Sequence, residues 1–329
     1  MQQIVLEQPG RFVRRDNAEE PRQGAGEALV RIHRIGVCGT DLHAFAGRQP
    51  FFSYPRVLGH ELGVEVVDPG NAPGDLVKGD RCAVEPYLNC GRCLACHRGR
   101  PNCCAELRVL GVHVDGGMQP VLAVPAAKLH RSTVLDFDQL ALVETLGIGA
   151  HAVERAEPTA DDFILVIGAG PIGLSVVPFA LETGARVAVL DLSAERLAFC
   201  RRLHPTVAVL TEPANLAADP PAIVIDATGN PGSMNRTFDL PAHGGRIVFV
   251  GLHQGEVVFS DSNFHRRELT LLASRNAPPH TFGAIIRLIE TGRIDPRNWI
   301  THRLPLSKVP QRFPGLAGSP GLLKAMITV

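Results

Sequence analysis

The sequence predicts an α/β chain of two domains, a β-rich one of short strands and a doubly wound parallel sheet flanked by helices. Three observations carry this. Up to about residue 145, short alternating runs are punctuated by Gly and Pro, the pattern of a barrel or sandwich. Beyond it, continuously apolar runs alternate with helical stretches, which implies parallel strands buried on both faces. At 329 residues the chain is long enough for about two domains.

In the first part, Ala28-Leu29-Val30-Arg31-Ile32 alternates, and Gly63-Val64-Glu65-Val66-Val67 does so in part. Turn signals follow at Pro69-Gly70 and Pro73-Gly74, and a turn leads into a strand across Val77–Val84. In the second part, Phe163–Ile167, Arg186–Asp191, Ala222–Asp226 and Arg246–Val250 read as buried strands. Helices are expected after the first of these and across Ser193–Leu203. Pro178 falls inside the first helix and should kink it. Residues 211–221 are too short and Pro-rich for a full helix, so one crossover is trimmed. After Arg275 come a helix at Phe282–Thr291, a Pro-rich tail and a strand at Ala325–Val329, expected to return to the first domain. The domains are therefore residues 1–145 with 276–329, and residues 146–275.

Composition excludes several function classes. Thirty-three basic residues balance thirty-three acidic ones, so no surplus of cations is available for a nucleic-acid backbone. No apolar run approaches the roughly 18 residues of a membrane helix. Met1-Gln2-Gln3-Ile4 lacks the layout of a signal peptide. A cytoplasmic enzyme is the expectation.

Eight cysteines need an explanation, and five of them fall between Cys90 and Cys104. A disulfide framework suits small secreted chains better than this one. Cys90, Cys93 and Cys96 are separated by two-residue gaps, which let a tight turn aim successive sulfurs at one point. With Cys103 or Cys104 they make four thiols, the donor set of a closed structural zinc site. An iron–sulfur cluster is the competing chemistry. Cys82 and Cys200 read as small buried apolar residues.

A second group sits earlier. Cys38-Gly39-Thr40-Asp41-Leu42-His43 ends a predicted strand, and Gly59-His60-Glu61 comes some twenty residues later. A catalytic zinc keeps about three protein ligands and one open position. Cys38 and His60 suit that role, and either Glu61 or Glu144 supplies the oxygen. Asp41 is placed to orient the ring of His60 through its second nitrogen. His151 has no assigned role beyond that of a buried structural histidine.

Gly168-Ala169-Gly170-Pro171-Ile172-Gly173 is a GxGxxG run that follows a buried strand and opens a helix, and Asp191 ends the next strand. That context is the dinucleotide-binding fingerprint of a Rossmann domain. Gly168, Gly170, Pro171, Ile172 and Gly173 would meet the pyrophosphate at a helix N-terminus. Asp191 would accept hydrogen bonds from the adenosine ribose and repel a 2′-phosphate, favouring NAD over NADP. Arg196 lies nearby as a candidate contact, although a solvated helix face explains it as well.

Together these motifs resemble the zinc-dependent medium-chain alcohol dehydrogenases over nearly the whole chain. The resemblance implies a GroES-like β-barrel catalytic domain carrying a structural-zinc lobe at residues 90–104, and a Rossmann NAD-binding domain. It selects Cys104 over Cys103 and implies two zinc ions per chain. Cys38 and His60 become ligands of the catalytic zinc, with Glu61 a neighbour that ligates or exchanges. Thr40 and His43 match the family's proton relay. Glu144 stands where the polyol and threonine dehydrogenases carry a glutamate and the ethanol-type enzymes a cysteine. Residues 49–61 look like those of bacterial sugar-acid dehydrogenases of the L-galactonate 5-dehydrogenase type. The implied reaction is NAD-linked oxidation of a secondary alcohol of a polyol, sugar or sugar acid, by a homodimer or homotetramer. Threonine or a simple alcohol is the alternative substrate. A zinc-free reductase is disfavoured by Cys38, His60 and Glu144, and a zinc-stabilised binding protein by the charge balance and the fingerprint.

Overall fold

The structure, a computed structural model, describes every residue except Phe51, Ala72 and Pro73, and the backbone alone at Ala214 and Asn215. The predicted turn at Pro73 and the Phe51 position within residues 49–61 therefore lie outside the described residues. The chain divides into two compact units, Met1–Glu144 with Pro278–Val329, and Thr145–Ala277.

The first unit is built on a seven-stranded sheet. Its order is Leu129–Arg131, Arg81–Val84, Glu61–Asp68, Glu27–Val37, Lys324–Thr328, Ile300–Pro305, with Val121–Pro125 also paired to Glu27–Val37. A three-stranded sheet, Arg11–Arg15, Gln3–Gln8 and Arg56–Val57, packs into the same core through Ile4, Leu6 and Val57. The C-terminal strand pairs antiparallel with Glu27–Val37, so the tail belongs to this unit. That strand is Lys324–Thr328 rather than Ala325–Val329, and the preceding helix is Pro279–Glu290 rather than Phe282–Thr291.

Strand Glu27–Val37 explains how the first motif is aimed. Ala28, Val30 and Ile32 alternate inward, but the next core residues are Ile35 and Val37. The inward phase slips by one residue, and the ladder with Glu61–Asp68 shifts register between Ile32 and Arg34. An inserted residue bends the strand and re-aims the residues beyond it. Past the bulge Gly36 pairs with Glu61, and Cys38 leaves the sheet as the N-cap of helix Gly39–Phe45.

The second unit is a parallel six-stranded sheet in the order Ala208–Leu210, Arg186–Leu190, Phe163–Ile167, Ile223–Asp226, Arg246–Phe249, Thr270–Ala273. The order reverses direction after Phe163–Ile167, the switch point beside which doubly wound folds bind ligands. Ile164, Leu165, Val166, Val189, Val224 and Ile225 are buried, as strands covered on both faces must be. Between Ala208–Leu210 and Ile223–Asp226 stands only a single 3₁₀ turn, Ala214–Ala217, so this crossover is trimmed. Helix Pro171–Glu182 runs through Pro178 without a break. His151 is buried, with Nδ1 3.1 Å from Glu154 Oε2.

Candidate functional site

Cys38, His60 and Glu61 converge in the first unit. One donor atom from each lies within 4.8 Å of the other two. Cys38 is held by its own helix start, where its N–H donates to Asp41 Oδ2 at 2.9 Å. His60 precedes strand Glu61–Asp68, and its Nδ1 stands 3.7 Å from Asp41 Oδ1. Glu61 faces Gly36 across the ladder.

A cation suits this pocket. Glu61 Oε2, His60 Nδ1 and Asp41 Oδ1 are buried with no hydrogen-bond partner, a state that costs about 1–3 kcal/mol for each group left so. The carboxylates of Asp41, Glu61 and Glu144 are buried around a single buried ammonium, Lys324. Burial opposes a charge on His60, yet Asp41, then Cys38 and Glu144, raise its pKa well above the usual histidine range. A pocket that favours an imidazolium favours a metal ion in its place.

Two residues outside the sequence reading hold the carboxylates. Lys324 Nζ donates to Glu61 Oε1 at 2.5 Å. Burial opposes its charge, but Glu61 and then Cys38 raise its pKa, so it stays a cation. Tyr87 donates its hydroxyl to Glu144 Oε1. Burial, then the Glu144 charge, push the phenol well above its ordinary value, which keeps it the donor. Burial also raises Glu144. Glu144 stands outside the group formed by Cys38, His60 and Glu61. Neither newcomer carries a motif: Lys324 opens a strand that is otherwise apolar up to Thr328, and Tyr87 is one of two tyrosines.

Thr40 and His43 lie one turn apart on helix Gly39–Phe45, Thr40 half-buried and His43 exposed.

The cysteine lobe forms a second group in this unit. The sulfurs of Cys90, Cys93, Cys96 and Cys104 all lie within 4.8 Å of one another, with Cys93 and Cys96 at 3.5 Å. A tetrahedron with metal–sulfur bonds of about 2.3 Å has edges of about 3.8 Å, so the donors fit zinc. Cys90 N–H donates to Cys104 Sγ at 3.3 Å. The backbone at Cys96 and Ala105 lowers the Cys93 thiol to about 6, whereas burial pushes the Cys104 thiol up to about 11, so it is the sulfur geometry that points to a metal. Cys103 is exposed and stands outside the group; Cys82 and Cys200 are buried.

In the second unit, the fingerprint turn leaves strand Phe163–Ile167 and opens helix Pro171–Glu182. A Cβ on Gly173 would meet the Gly168 carbonyl oxygen at 1.7 Å, so this turn closes only on glycine. At Gly170 a Cβ would meet nothing nearer than Arg196 Nη1 at 3.9 Å, leaving the backbone open to a ligand. Pro171 and Ile172 form the first turn of the helix. Asp191 accepts from Ala169 N at 2.6 Å and from Ser193 N at 2.7 Å, which ties it to the fingerprint turn. Arg196 sits in the first turn of helix Ala194–Leu203 and reaches over Gly170.

Comparison with known proteins gives the family. Residues 24–134 match the family described as alcohol dehydrogenase GroES-like domain, and residues 171–291 match zinc-binding dehydrogenase. The chain is 42% identical to L-galactonate-5-dehydrogenase of Escherichia coli K12, covering 100% of this chain and 99% of that protein. It is 36% identical to L-threonine 3-dehydrogenase of Streptomyces coelicolor, over 71% of this chain and 72% of that one. Among solved structures, an alcohol dehydrogenase of E. coli CFT073 complexed with NADH superposes with a TM-score of 0.92 at 29% identity, covering 100% of this chain and 99% of that one. The cofactors of such enzymes, zinc and a nicotinamide dinucleotide, are those the two donor groups and the fingerprint accommodate. With a GroES-like domain, a Rossmann domain and a full-length relative at this identity, the chain belongs to the zinc-dependent medium-chain alcohol dehydrogenase family.

Proposed function

We propose that this protein oxidises a secondary alcohol of a sugar acid or polyol to a ketone with NAD, using a catalytic zinc held by Cys38, His60 and Glu61. A second zinc sits in the closed lobe of Cys90, Cys93, Cys96 and Cys104. The observation that carries this reading is the partnerless, buried Oε2 of Glu61 beside Cys38 and His60. It is supported by 42% identity along the whole chain to a sugar-acid dehydrogenase, L-galactonate-5-dehydrogenase. Threonine is the second substrate class, favoured by the 36% identity to L-threonine 3-dehydrogenase.

When bound, zinc supplies Lewis-acid polarisation of the substrate hydroxyl and the nicotinamide accepts the hydride. The remaining work falls to the chain. Lys324 fixes Glu61, and the Asp41 carboxylate beside His60 would orient the ring for a bound metal. Thr40 and His43 carry the released proton along one helix face from a half-buried position to solvent. Gly168, Gly170, Pro171, Ile172 and Gly173 admit the pyrophosphate. The Asp191 carboxylate disfavours a 2′-phosphate, and Arg196 flanks the phosphate path. We infer a cytoplasmic homodimer or homotetramer acting on a small molecule; no described helix is long and apolar enough to cross a membrane.

The test is a screen of L-galactonate, other aldonates, polyols and threonine, following NADH formation with zinc present. Turnover of an aldonate or polyol above threonine is expected. A folded Cys38→Ala variant that keeps near-normal turnover sinks the metal mechanism.

A further inference from the structure

Two buried carboxylates stand near one metal-competent group. Glu61 belongs to it, with one oxygen tied to Lys324 and the other free of partners. Glu144 does not belong to it, although its charge is felt at His60. If both carboxylates ligated, they would fill the position a catalytic zinc keeps open for substrate. Something must keep Glu144 apart, and one oxygen of Glu144 already has an owner, the Tyr87 hydroxyl.

Tyr87 is built into its place. It is 2% exposed and begins strand Tyr87–Leu88, which pairs with Arg108–Val109 at the two ends of the cysteine lobe. Its ring meets the edge of Phe282 at 6.3 Å and 73°. Phe282 in turn stacks on His130 at 4.7 Å and 17°. His130 Nε2 lies 3.2 Å from Glu85 Oε2, and Lys128 binds the other oxygen of that buried carboxylate. A ring wedged in this way cannot follow Glu144 if Glu144 rotates toward the metal. Glu144 itself sits on a 20-residue helix, Phe137–Ala156, so only its own side-chain torsions move its carboxylate.

We propose that Tyr87 is a positioning residue that decides which carboxylate ligates: by holding Oε1 of Glu144 it leaves Cys38, His60 and Glu61 as the ligands and the fourth position open. This rests on the reading of the Cys38 group as the catalytic zinc site, and the experiment separates the two. Zinc in the holoenzyme is exchanged for cobalt, whose visible d–d bands change when a carboxylate replaces the exchangeable ligand of the fourth position. A Cys38→Ala control identifies the band of this centre. If no band disappears in that control, the metal-site reading fails whatever Tyr87 does.

Tyr87→Phe keeps the ring and removes the hydroxyl. The released Glu144 should take the fourth position, changing the d–d band and slowing metal loss to a chelator. Activity should fall by about 10–100-fold, the usual range for removing an outer-shell partner of a metal site. Adding Glu144→Gln to Tyr87→Phe should restore the wild-type band. An unchanged band with unchanged metal release overturns the proposal. So does faster metal loss without a spectral change, which would mark Tyr87 as a packing residue only. Glu144→Gln alone gives an independent arm that does not depend on the Tyr87 variant folding. It should leave the cobalt band as it is, and a changed band would show Glu144 to be a resting ligand and overturn the proposal.

Discussion

Gly36→Ala is the sharpest probe of the metal pocket. Gly36 lies in strand Glu27–Val37 directly opposite Glu61, and it has no left-handed backbone, so alanine strains nothing in the main chain. The only consequence is spatial. The new Cβ would stand 2.0 Å from Glu61 Oε2, 3.0 Å from its Cβ and 3.1 Å from its Cδ. Non-bonded atoms of this kind settle near about 3.5 Å, so the oxygen must retreat by about 1 Å or more. It has no easy retreat, because Oε1 is held by the buried Lys324. Overpacking of this kind costs about 1–3 kcal/mol of stability. A displacement of about 1 Å at a reacting centre costs on the order of 100-fold in rate. The assay is kcat/KM for the best sugar acid, with metal content by atomic emission and folding by circular dichroism. The expected result is a folded protein, about 100-fold less active, that retains the lobe zinc and loses the other. Two zinc ions per chain at near wild-type kcat/KM would refute the argument, because Oε2 could then not be the atom facing the metal.

Three further outcomes rest on named contacts. Lys324→Met leaves the buried Glu61 carboxyl without its partner, a loss of about 3–5 kcal/mol. Zinc should offset part of it, so the Tm of the variant should depend on zinc more steeply than that of the wild type; equal dependence would remove Lys324 from the site. Asp191→Asn weakens charged acceptor bonds of about 1.5–3 kcal/mol, so the NAD to NADP preference in kcat/KM should narrow by about tenfold or more, and an unchanged ratio would place the ribose elsewhere. Asp138 is titrated against burial, but Arg303 and then Arg34 win and hold its carboxyl below the ordinary range. A depressed carboxylate stabilises the fold above its unfolded pKa, near about 3.9, and the contribution disappears as pH falls through the folded value. Asp138→Asn should therefore flatten the Tm profile below about pH 4, and parallel profiles for variant and wild type would discount the ion pair.

Much of the fold was legible because its periods are clean. Phe163–Ile167 and Arg246–Phe249 are nearly unbroken apolar runs, as parallel strands must be. The phase slip from Ile32 to Ile35 was also present in the sequence, although only the ladder shows it to be a bulge. The long helix Phe137–Ala156 was not legible. Residues 139–147 are buried without interruption, so no polar face marks the 3.6-residue period. With the helix unread, Glu144 was a glutamate of known type and unknown direction, and the choice between Glu61 and Glu144 stayed open at the sequence level.

The rest of the site was hidden for a different reason. Cys38 and His60 announce themselves because thiol and imidazole beside glycines are uncommon, and because a local spacing can be compared with a ligand set. Lysine and tyrosine carry no such mark. Lys324 falls one residue before the apolar run of the last strand, and a lysine at a strand end reads as a solvated terminus. What makes it functional is a partner 263 residues away, brought within 2.5 Å only because the C-terminal strand inserts beside Glu27–Val37. Tyr87 and Glu144 are likewise 57 residues apart. A metal's ligands can be encoded by spacing along the chain, but the groups that neutralise and aim those ligands are chosen by strand order. Their identity therefore becomes readable only after the topology is known.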